Sequence, residues 1–225
     1  FYLQHNAKVD SIAQVISLCN VSGFDALSYN LHTKNNKNFT AEELKLLRMN
    51  AGNFFVLRVP LEEAFMKQAI VLKPDLAILY SNYDSKSNFC EPFSDIDQEA
   101  LENAILNLDA NNVPVGIFLE PDNTILKKIN KTRLDWIEID ASPFTRAEDS
   151  NDEFTALENI VSFLEVSQKM GFGSSIRGEV GLNFIPMLKK IESLDEICLD
   201  WDFWDLAVKL GIEKAAQQVI LKFLR

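Results

Sequence analysis

Short apolar runs alternate with helix-like stretches along almost the whole chain. The runs are Tyr2–Gln4, Ala26–Tyr29, Phe54–Val59, Leu76–Tyr80, Val115–Leu119, Trp136–Ile139, Gly173–Ile176 and Glu196–Leu199. Apolar residues at spacings of three and four follow most of these runs, which is the pattern of helices with one buried face. Eight strand–helix units in 225 residues predict an α/β fold, a single (β/α)8 barrel domain over residues 1–225. Such a barrel places function in the loops that follow the carboxyl ends of its strands.

Several segments between these runs are polar. Thr33–Asn38 is expected to be a mobile loop, and Thr40 to Glu43 has the pattern of a helix capping box. Ser81–Asp95 is the longest predicted loop, and loops of that length are often functional.

The charge of the chain narrows the classes of partner. Its formal net charge is −11, which disfavours nucleic acid and anionic membrane surfaces as partners. No run of 18 apolar residues and no leader pattern is present, so a soluble chain is expected, although Phe1 is not an initiating methionine.

The cysteines and histidines indicate a reducing compartment and argue against a metal centre. Three cysteines without CxxC spacing favour free thiols and a cytoplasmic location. His5 and His32 do not form an HxH or HxxxH pair, so no metal site is expected.

Four segments, taken in order and spacing, carry a resemblance to a known family. They are Lys73-Pro74-Asp75, Gly116-Ile-Phe-Leu-Glu-Pro-Asp122, Asp135-Trp-Ile-Glu-Ile139 and Leu206-Ala-Val-Lys-Leu-Gly-Ile212. From about Val9 to the C-terminus the chain resembles pyridoxine 5'-phosphate synthase, the ring-forming enzyme of one route to vitamin B6. The resemblance implies a (β/α)8 TIM barrel with extra helices. It also implies condensation of an amino-ketone phosphate with a deoxypentulose phosphate, without a metal or an organic cofactor.

Most catalytic positions of that family hold different residues in this chain. The family's strand-2 His and Arg fall at Asn30 and His32, and its strand-3 Glu falls at Leu57. The strand-6 Glu is retained as Glu138. The strand-7 Asn-Ala-Gly-His corresponds to Ser175-Ile-Arg-Gly178, and the strand-8 Gly-His pair corresponds to Asp200-Trp201.

These replacements argue against the parent reaction. Imine formation and ring closure need positioned acids and bases, and neither Leu nor Gly can transfer a proton. Asp200 and Asp202 would repel a phosphate, since two like charges 4 Å apart cost roughly 4 kcal/mol at an effective dielectric of 20.

Three residues are the candidates for any remaining catalysis: Glu138, His32 and Asn30. Glu138 is either a retained acid or base, or a core carboxylate held by Arg177 or by a hydroxyl. His32 has no acidic partner in the sequence pattern, so it is either a base or a bystander.

A second set of residues is expected near the strand ends and could bind a ligand. The set is Asp140, Arg177, Gly178, Glu179, Asp200, Trp201 and Asp202. The acids could converge on a cation or an amine, or instead be solvated, paired with arginines or, for Asp202, cap a helix. Trp201 and Trp204 could stack on a ring, plug a closed pocket or face a subunit contact.

Three functions therefore stay open at this point. The first is a divergent family member without the synthase reaction, acting as a binding, partner or retooled protein on a small molecule. The second is a working pyridoxine 5'-phosphate synthase-like transferase. The third is a metal-dependent or carbohydrate-processing barrel that uses Glu138 with Asp140 or Glu179.

The alignment also predicts side-chain directions and assembly. We expect Leu57, Glu138 and Ser175 to point into the barrel and Arg58 to point outward. A homodimer or a larger homo-oligomer is expected, because many aromatic residues fall in predicted loops or at strand exits. They are Phe89, Phe93, Phe144, Trp201 and Trp204.

Overall fold

The computed structural model describes residues 17–31, 41–51, 54–84, 89–130 and 132–224. The predicted strand Tyr2–Gln4, the loop Thr33–Asn38 and the capping residue Thr40 lie outside these ranges.

The described strands are close to those predicted. They are β1 (Ala26–Asn30), β2 (Phe54–Pro60), β3 (Leu76–Tyr80), β4 (Asn82–Asp84), β5 (Phe89–Glu91), β6 (Val115–Leu119), β7 (Trp136–Asp140), β8 (Gly173–Arg177) and β9 (Glu196–Ile197). Seven of them form one parallel sheet in the order β1-β2-β3-β6-β7-β8-β9, as the alternation of strands and helices predicts. The last strand is shorter than expected, because Cys198 and Leu199 lie beyond its end.

The helices occupy the segments between these strands. Their bounds are Ala41–Asn50, Glu63–Leu72, Gln98–Asp109, Asn123–Ile129, Ser142–Thr145, Ser150–Lys169, Ile185–Leu188, Trp201–Leu210 and Ile212–Leu224, and residues 17–21 are also helical. Asp97, Asp122 and Asp149 begin three of them, each accepting a hydrogen bond from a backbone N–H of the first turn. In the part of the chain that the structure describes, none of the helices is long and apolar enough to cross a membrane.

An aspartate precedes each of three strands and joins it to the neighbouring strand. The Oδ2 atoms of Asp75, Asp135 and Asp195 accept hydrogen bonds from the backbone N–H of Phe55, Val115 and Ser174, at 2.8, 2.9 and 2.8 Å. The backbone N–H of each aspartate donates back to the carbonyl of the same residue. These reciprocal bonds fix the register at the amino-terminal edge of the sheet, the edge opposite the expected functional loops.

The two faces of the sheet carry separate apolar clusters. Leu57 packs in the large cluster with Phe65 and Met66 of the following helix, so its side chain lies between sheet and helix. Successive residues of a strand point to opposite faces, and the neighbouring Arg58 therefore points to the inner face. The prediction that Leu57 points inward and Arg58 outward was wrong. The run Phe54–Val59 is apolar on both faces of the strand, so its sequence does not indicate which residues point inward.

The inner face is strongly curved. Ser28 of β1 and Cys198 beyond β9 both contact the guanidinium of Arg58, although β1 and β9 are the two edges of the sheet. The sheet thus bends round like the wall of a barrel, with its helices outside.

The predicted loop Ser81–Asp95 contains the antiparallel hairpin β4–β5. Phe93, which follows the hairpin, pairs with Leu119 and is buried, and Phe144 is buried as well. These two aromatic residues are therefore core residues, which corrects their expected place on an exposed assembly surface.

Candidate functional site: the interior of the sheet

The inner face of the sheet lines a cavity of about 780 Å³. Charged and polar side chains in its wall come from several strands and include Ser28, Arg58, Glu138, Ser175, Arg177 and Asp200. Trp136 forms part of the wall towards the amino-terminal edge, and its Nε1 donates to Ser175 Oγ at 2.9 Å. The cavity therefore combines a polar middle with aromatic and aliphatic surfaces.

Arg58 and Glu138 form a two-point ion pair across this interior. Arg58 Nε donates to Glu138 Oε2 at 2.9 Å, and Arg58 Nη2 donates to Oε1 at 2.5 Å. The remaining guanidinium nitrogen donates to Ser28 Oγ, and Nη2 also donates to Cys198 Sγ at 3.3 Å. Burial lowers the pKa of Arg58, but the charge and hydrogen bonds of Glu138, together with Cys198 and Cys90, outweigh it, and the net pKa lies well above the ordinary value.

This pair assigns Glu138 a partner that sequence reasoning missed. Glu138 faces the interior, as the alignment predicts, but Arg58 holds it and neither Arg177 nor a hydroxyl does. Both of its oxygens accept from a guanidinium and the side chain is 1% exposed. In this geometry the carboxylate is a buried counter-ion.

Arg177 and Asp200 form a second ion pair nearby. Arg177 Nε and Nη2 donate to Asp200 Oδ2 at 3.1 and 2.6 Å. The guanidinium also lies over the rings of Phe89 and Phe118, 5.1 and 5.8 Å from their centroids. Asp200 is thereby neutralised by Arg177, so it is not the free repulsive charge that its place in the sequence suggested.

Gly178 sits in a turn with no room for a side chain. Its φ is +124°, and a Cβ there would lie 2.7 Å from Asp140 Oδ1 and 2.7 Å from the backbone nitrogen of Ser142. Asp140 Oδ1 in turn accepts from the Ser142 backbone N–H and hydroxyl, at 3.0 and 2.7 Å. Asp140, the last residue of β7, is thus part of this turn, and its burial raises the pKa of the carboxyl group.

The acids expected at the strand ends do not converge. Glu179 binds Arg146 through two hydrogen bonds of 2.7 and 2.5 Å, which hold its pKa below the ordinary value. Asp140 and Glu138 have the separate partners described above. Among the described residues, no group of three or more His, Cys, Asp and Glu side chains is placed to hold a metal ion.

Trp201 and Trp204, near the start of the helix Trp201–Leu210, differ in their relation to the cavity. Trp204 lines it and packs edge-on against Phe203, with ring centroids 5.4 Å apart, whereas Trp201 is 45% exposed. Asp202 does not cap the helix, because Asp200 occupies the N-cap position. Burial raises the pKa of Asp202.

Asn30 and His32 were both candidates for catalysis, but only Asn30 falls in the described part of the chain. Asn30, the last residue of β1, lines the cavity and is in register with Arg58 of β2. His32 lies outside the described residues.

Two further residues of the interior, Cys198 and Phe89, were not predicted to belong to the site. The thiol of Cys198, which lies beyond the end of β9, is a hydrogen-bond acceptor for Arg58. Phe89 belongs to the unexpected hairpin and packs on Arg177. Arg58 was the available sequence signal for a charged site in the interior. It is the only charged residue in the apolar run Phe54–Val59, and a buried charge requires a partner of opposite sign.

Comparison with known proteins identifies the family. A family model described as "Pyridoxal phosphate biosynthesis protein PdxJ" matches residues 5–223. The chain belongs to the PdxJ family. The resemblance drawn from the four sequence segments is confirmed over nearly the whole length.

Individual PdxJ relatives are distant in sequence but similar in extent. The pyridoxine 5'-phosphate synthase of Geotalea uraniireducens is 24% identical over 208 residues, covering 91% of this chain and 85% of that protein. The enzyme of the same name from Geobacter sp. strain M21 is 23% identical, covering 90% and 85%.

Solved structures support the same fold at lower identity. The 3-hexulose-6-phosphate synthase of Salmonella typhimurium matches with a TM-score of 0.65 and 6% identity, covering 98% of this chain and 96% of that one. The Amycolatopsis orientalis BexX/CysO complex matches with a TM-score of 0.60 and 13% identity, covering 99% and 88%. At this identity the likeness bears on the fold alone.

Proposed function

We propose that this PdxJ-family chain binds a small molecule inside its barrel and does not catalyse the pyridoxine 5'-phosphate synthase reaction. The observation that carries this proposal is the ion pair between Arg58 and Glu138. A general acid or base must exchange a proton with the substrate, so it needs an available oxygen and a pKa near the working pH. Both oxygens of Glu138 accept hydrogen bonds from Arg58, so neither is free to exchange a proton with a substrate.

The positions around Glu138 support the same conclusion. Asn30 replaces a histidine in the alignment and cannot exchange a proton near neutral pH. Gly178, aligned with another histidine, sits where a side chain would collide with Asp140. The residues of β2 that line the cavity are Val56 and Arg58, and neither can replace an inward glutamate as an acid or base.

The proposal includes closure of the barrel by an eighth strand. β1 and β9 are edge strands of the described sheet, and both line the cavity. The proposed fold is a complete (β/α)8 TIM barrel, in which neither edge would stay open.

Genetic complementation tests the proposed loss of the reaction. Expression of this chain in a vitamin B6 auxotroph that lacks its own synthase is expected to give no growth without added vitamin. The synthase of Geotalea uraniireducens serves as the positive control. Growth with this chain, at matched expression, would overturn the proposal.

The second candidate is a working pyridoxine 5'-phosphate synthase. The comparisons favour it, because the relatives named above are pyridoxine 5'-phosphate synthases that match about nine-tenths of the chain. In that case a substrate must displace Arg58 from Glu138, and the purified chain would form pyridoxine 5'-phosphate.

Assembly and location complete the proposal. We propose a homodimer or larger homo-oligomer, supported by the exposed Trp201 and Trp204 on the same helix. A cytoplasmic location is supported by the free thiols of Cys19, Cys90 and Cys198.

A further inference from the structure

One buried hydrogen-bond donor of the interior has no acceptor. Arg177 Nη1 is the buried side-chain polar atom that lacks a hydrogen-bond partner within the described ranges. The residue is 2% exposed, and its other two donor nitrogens are occupied by Asp200. A buried donor without an acceptor is costly, and native proteins seldom keep one unless something else completes it.

The protein groups around Arg177 do not supply a charged acceptor for Nη1. Phe89 and Phe118 offer ring faces to the guanidinium. The Cys90 thiol interacts with the Arg177 guanidinium, but it is fully buried and burial raises its pKa, so it offers only a weak, uncharged sulfur acceptor. Since Arg177 forms part of the cavity wall, a molecule in the cavity is the available source of the acceptor.

The charges of the cavity restrict what that molecule can carry. Arg58 and Arg177 are already balanced by Glu138 and Asp200. Further carboxylates line the cavity at the amino-terminal edge of the sheet, on Asp25, Asp195 and Glu196. A doubly charged phosphate would add two uncompensated negative charges to this interior, whereas a carboxylate adds one and takes a charge-assisted hydrogen bond from Nη1.

The rest of the wall favours an apolar body on the ligand. Trp136, Phe203 and Trp204 supply aromatic surface, and Leu76 and Ile78 supply aliphatic surface. Pockets of this kind bind through apolar contact and use a few polar groups to set orientation.

We propose that the barrel interior binds a small apolar molecule bearing one carboxylate, and that Arg177 Nη1 donates to that carboxylate. This rests on the proposal that the interior is a small-molecule site. It goes further by separating the ligand from the doubly charged phosphate substrates that the resemblance implies.

A matched series of aromatic probes tests this assignment by calorimetry. Benzoate carries one negative charge, benzamide none and phenyl phosphate two at pH 8, on the same ring. Benzoate is expected to bind the purified chain more tightly than either of the others. Tighter binding of phenyl phosphate, equal binding of benzamide, or no binding of benzoate to the folded protein would overturn the assignment.

Arg177→Lys locates the binding. Lysine keeps the positive charge beside Asp200 but has no second terminal nitrogen, so benzoate binding should weaken roughly tenfold or more. Arg133→Lys is the control, because Arg133 forms an exposed ion pair with Asp109 and does not line the cavity. Unchanged benzoate affinity in Arg177→Lys, with a native circular dichroism spectrum, would place the ligand elsewhere.

The two proposals fail independently in these experiments. Synthase activity would overturn the proposed loss of the parent reaction, whatever the order of the three probes. A preference for phenyl phosphate in an inactive chain would overturn the carboxylate assignment alone.

Discussion

Arg58 and Glu138 lie on strands that are separated by two others in the sheet, yet their side chains meet in a bidentate ion pair with N–O distances of 2.9 and 2.5 Å. The pair is almost wholly buried. It therefore joins opposite sides of the curved sheet and occupies Glu138, the acid that the family resemblance predicts to be retained.

Removing the charge of Glu138 should destabilise the fold. Glu138→Gln leaves Arg58 buried without a counter-ion, and breaking a buried pair in this way costs about 3 kcal/mol or more in the free energy of unfolding. Urea denaturation measures the change. Glu158→Gln, on an exposed helix position, is the matched control and should change stability by less than about 0.5 kcal/mol.

Removing both members of the pair should cost less than removing one. Arg58→Met with Glu138→Leu eliminates the uncompensated charge and replaces the pair by apolar groups of similar size. The double variant is expected to unfold at a higher urea concentration than Glu138→Gln. If the double variant is no more stable than Glu138→Gln, Arg58 would instead stabilise the fold mainly through its hydrogen bonds to Ser28 and Cys198.

Substitution of Gly178 by alanine should reduce the free energy of unfolding more than the same substitution of Gly171, another glycine with positive φ. Gly178→Ala introduces both a strained backbone angle and contacts of 2.7 Å with Asp140 and Ser142. Gly171→Ala, at φ +87°, introduces the strain without any atom within 4 Å. The first should lose about 1–3 kcal/mol more than the second by urea denaturation, the usual cost of overpacking; equal losses would contradict the description of this turn.

Glu196 should make the stability of the chain depend on pH. Burial raises its pKa, and Asp195, Asp25 and Glu138 raise it further. Since the ionised form is disfavoured in the folded state, its cost is fully present above the folded pKa and disappears as the pH falls towards the unfolded value of about 4.3. Glu196→Gln should therefore stabilise the chain at pH 7, and the gain should shrink as the pH is lowered to 4.

The control for this pH dependence is again Glu158→Gln, which subtracts the general effect of removing one negative charge from an acidic chain. A gain for Glu196→Gln that is constant between pH 7 and pH 4 would contradict the assignment.

The order of the strands could be predicted from the sequence, because each strand is a short apolar run between helix-like stretches. β3 and β6 have the same bounds as predicted. The pleat of β2 could not be predicted, since every residue of Phe54–Val59 except Arg58 is apolar and alternation gives no signal in such a run.

The ion pair between Arg58 and Glu138 could not be predicted from the sequence either. Glu138 and Arg58 are 80 residues apart, and only the curvature of the sheet brings them together. The hairpin β4–β5 was expected to be a loop because its strands are short and partly polar, so the contact of Phe89 with Arg177 was missed.

The proposed absence of the parent reaction is tested most directly with the purified chain. It is incubated with the family's amino-ketone phosphate and deoxypentulose phosphate, and pyridoxine 5'-phosphate is measured by mass spectrometry beside the Geotalea uraniireducens synthase. The loss of a general acid or base typically costs 10²–10⁴ in rate. With Glu138 held by Arg58 and no proton-transfer group at Asn30 or Gly178, we expect no product above a protein-free control. Product that forms in proportion to the amount of this chain would contradict the account.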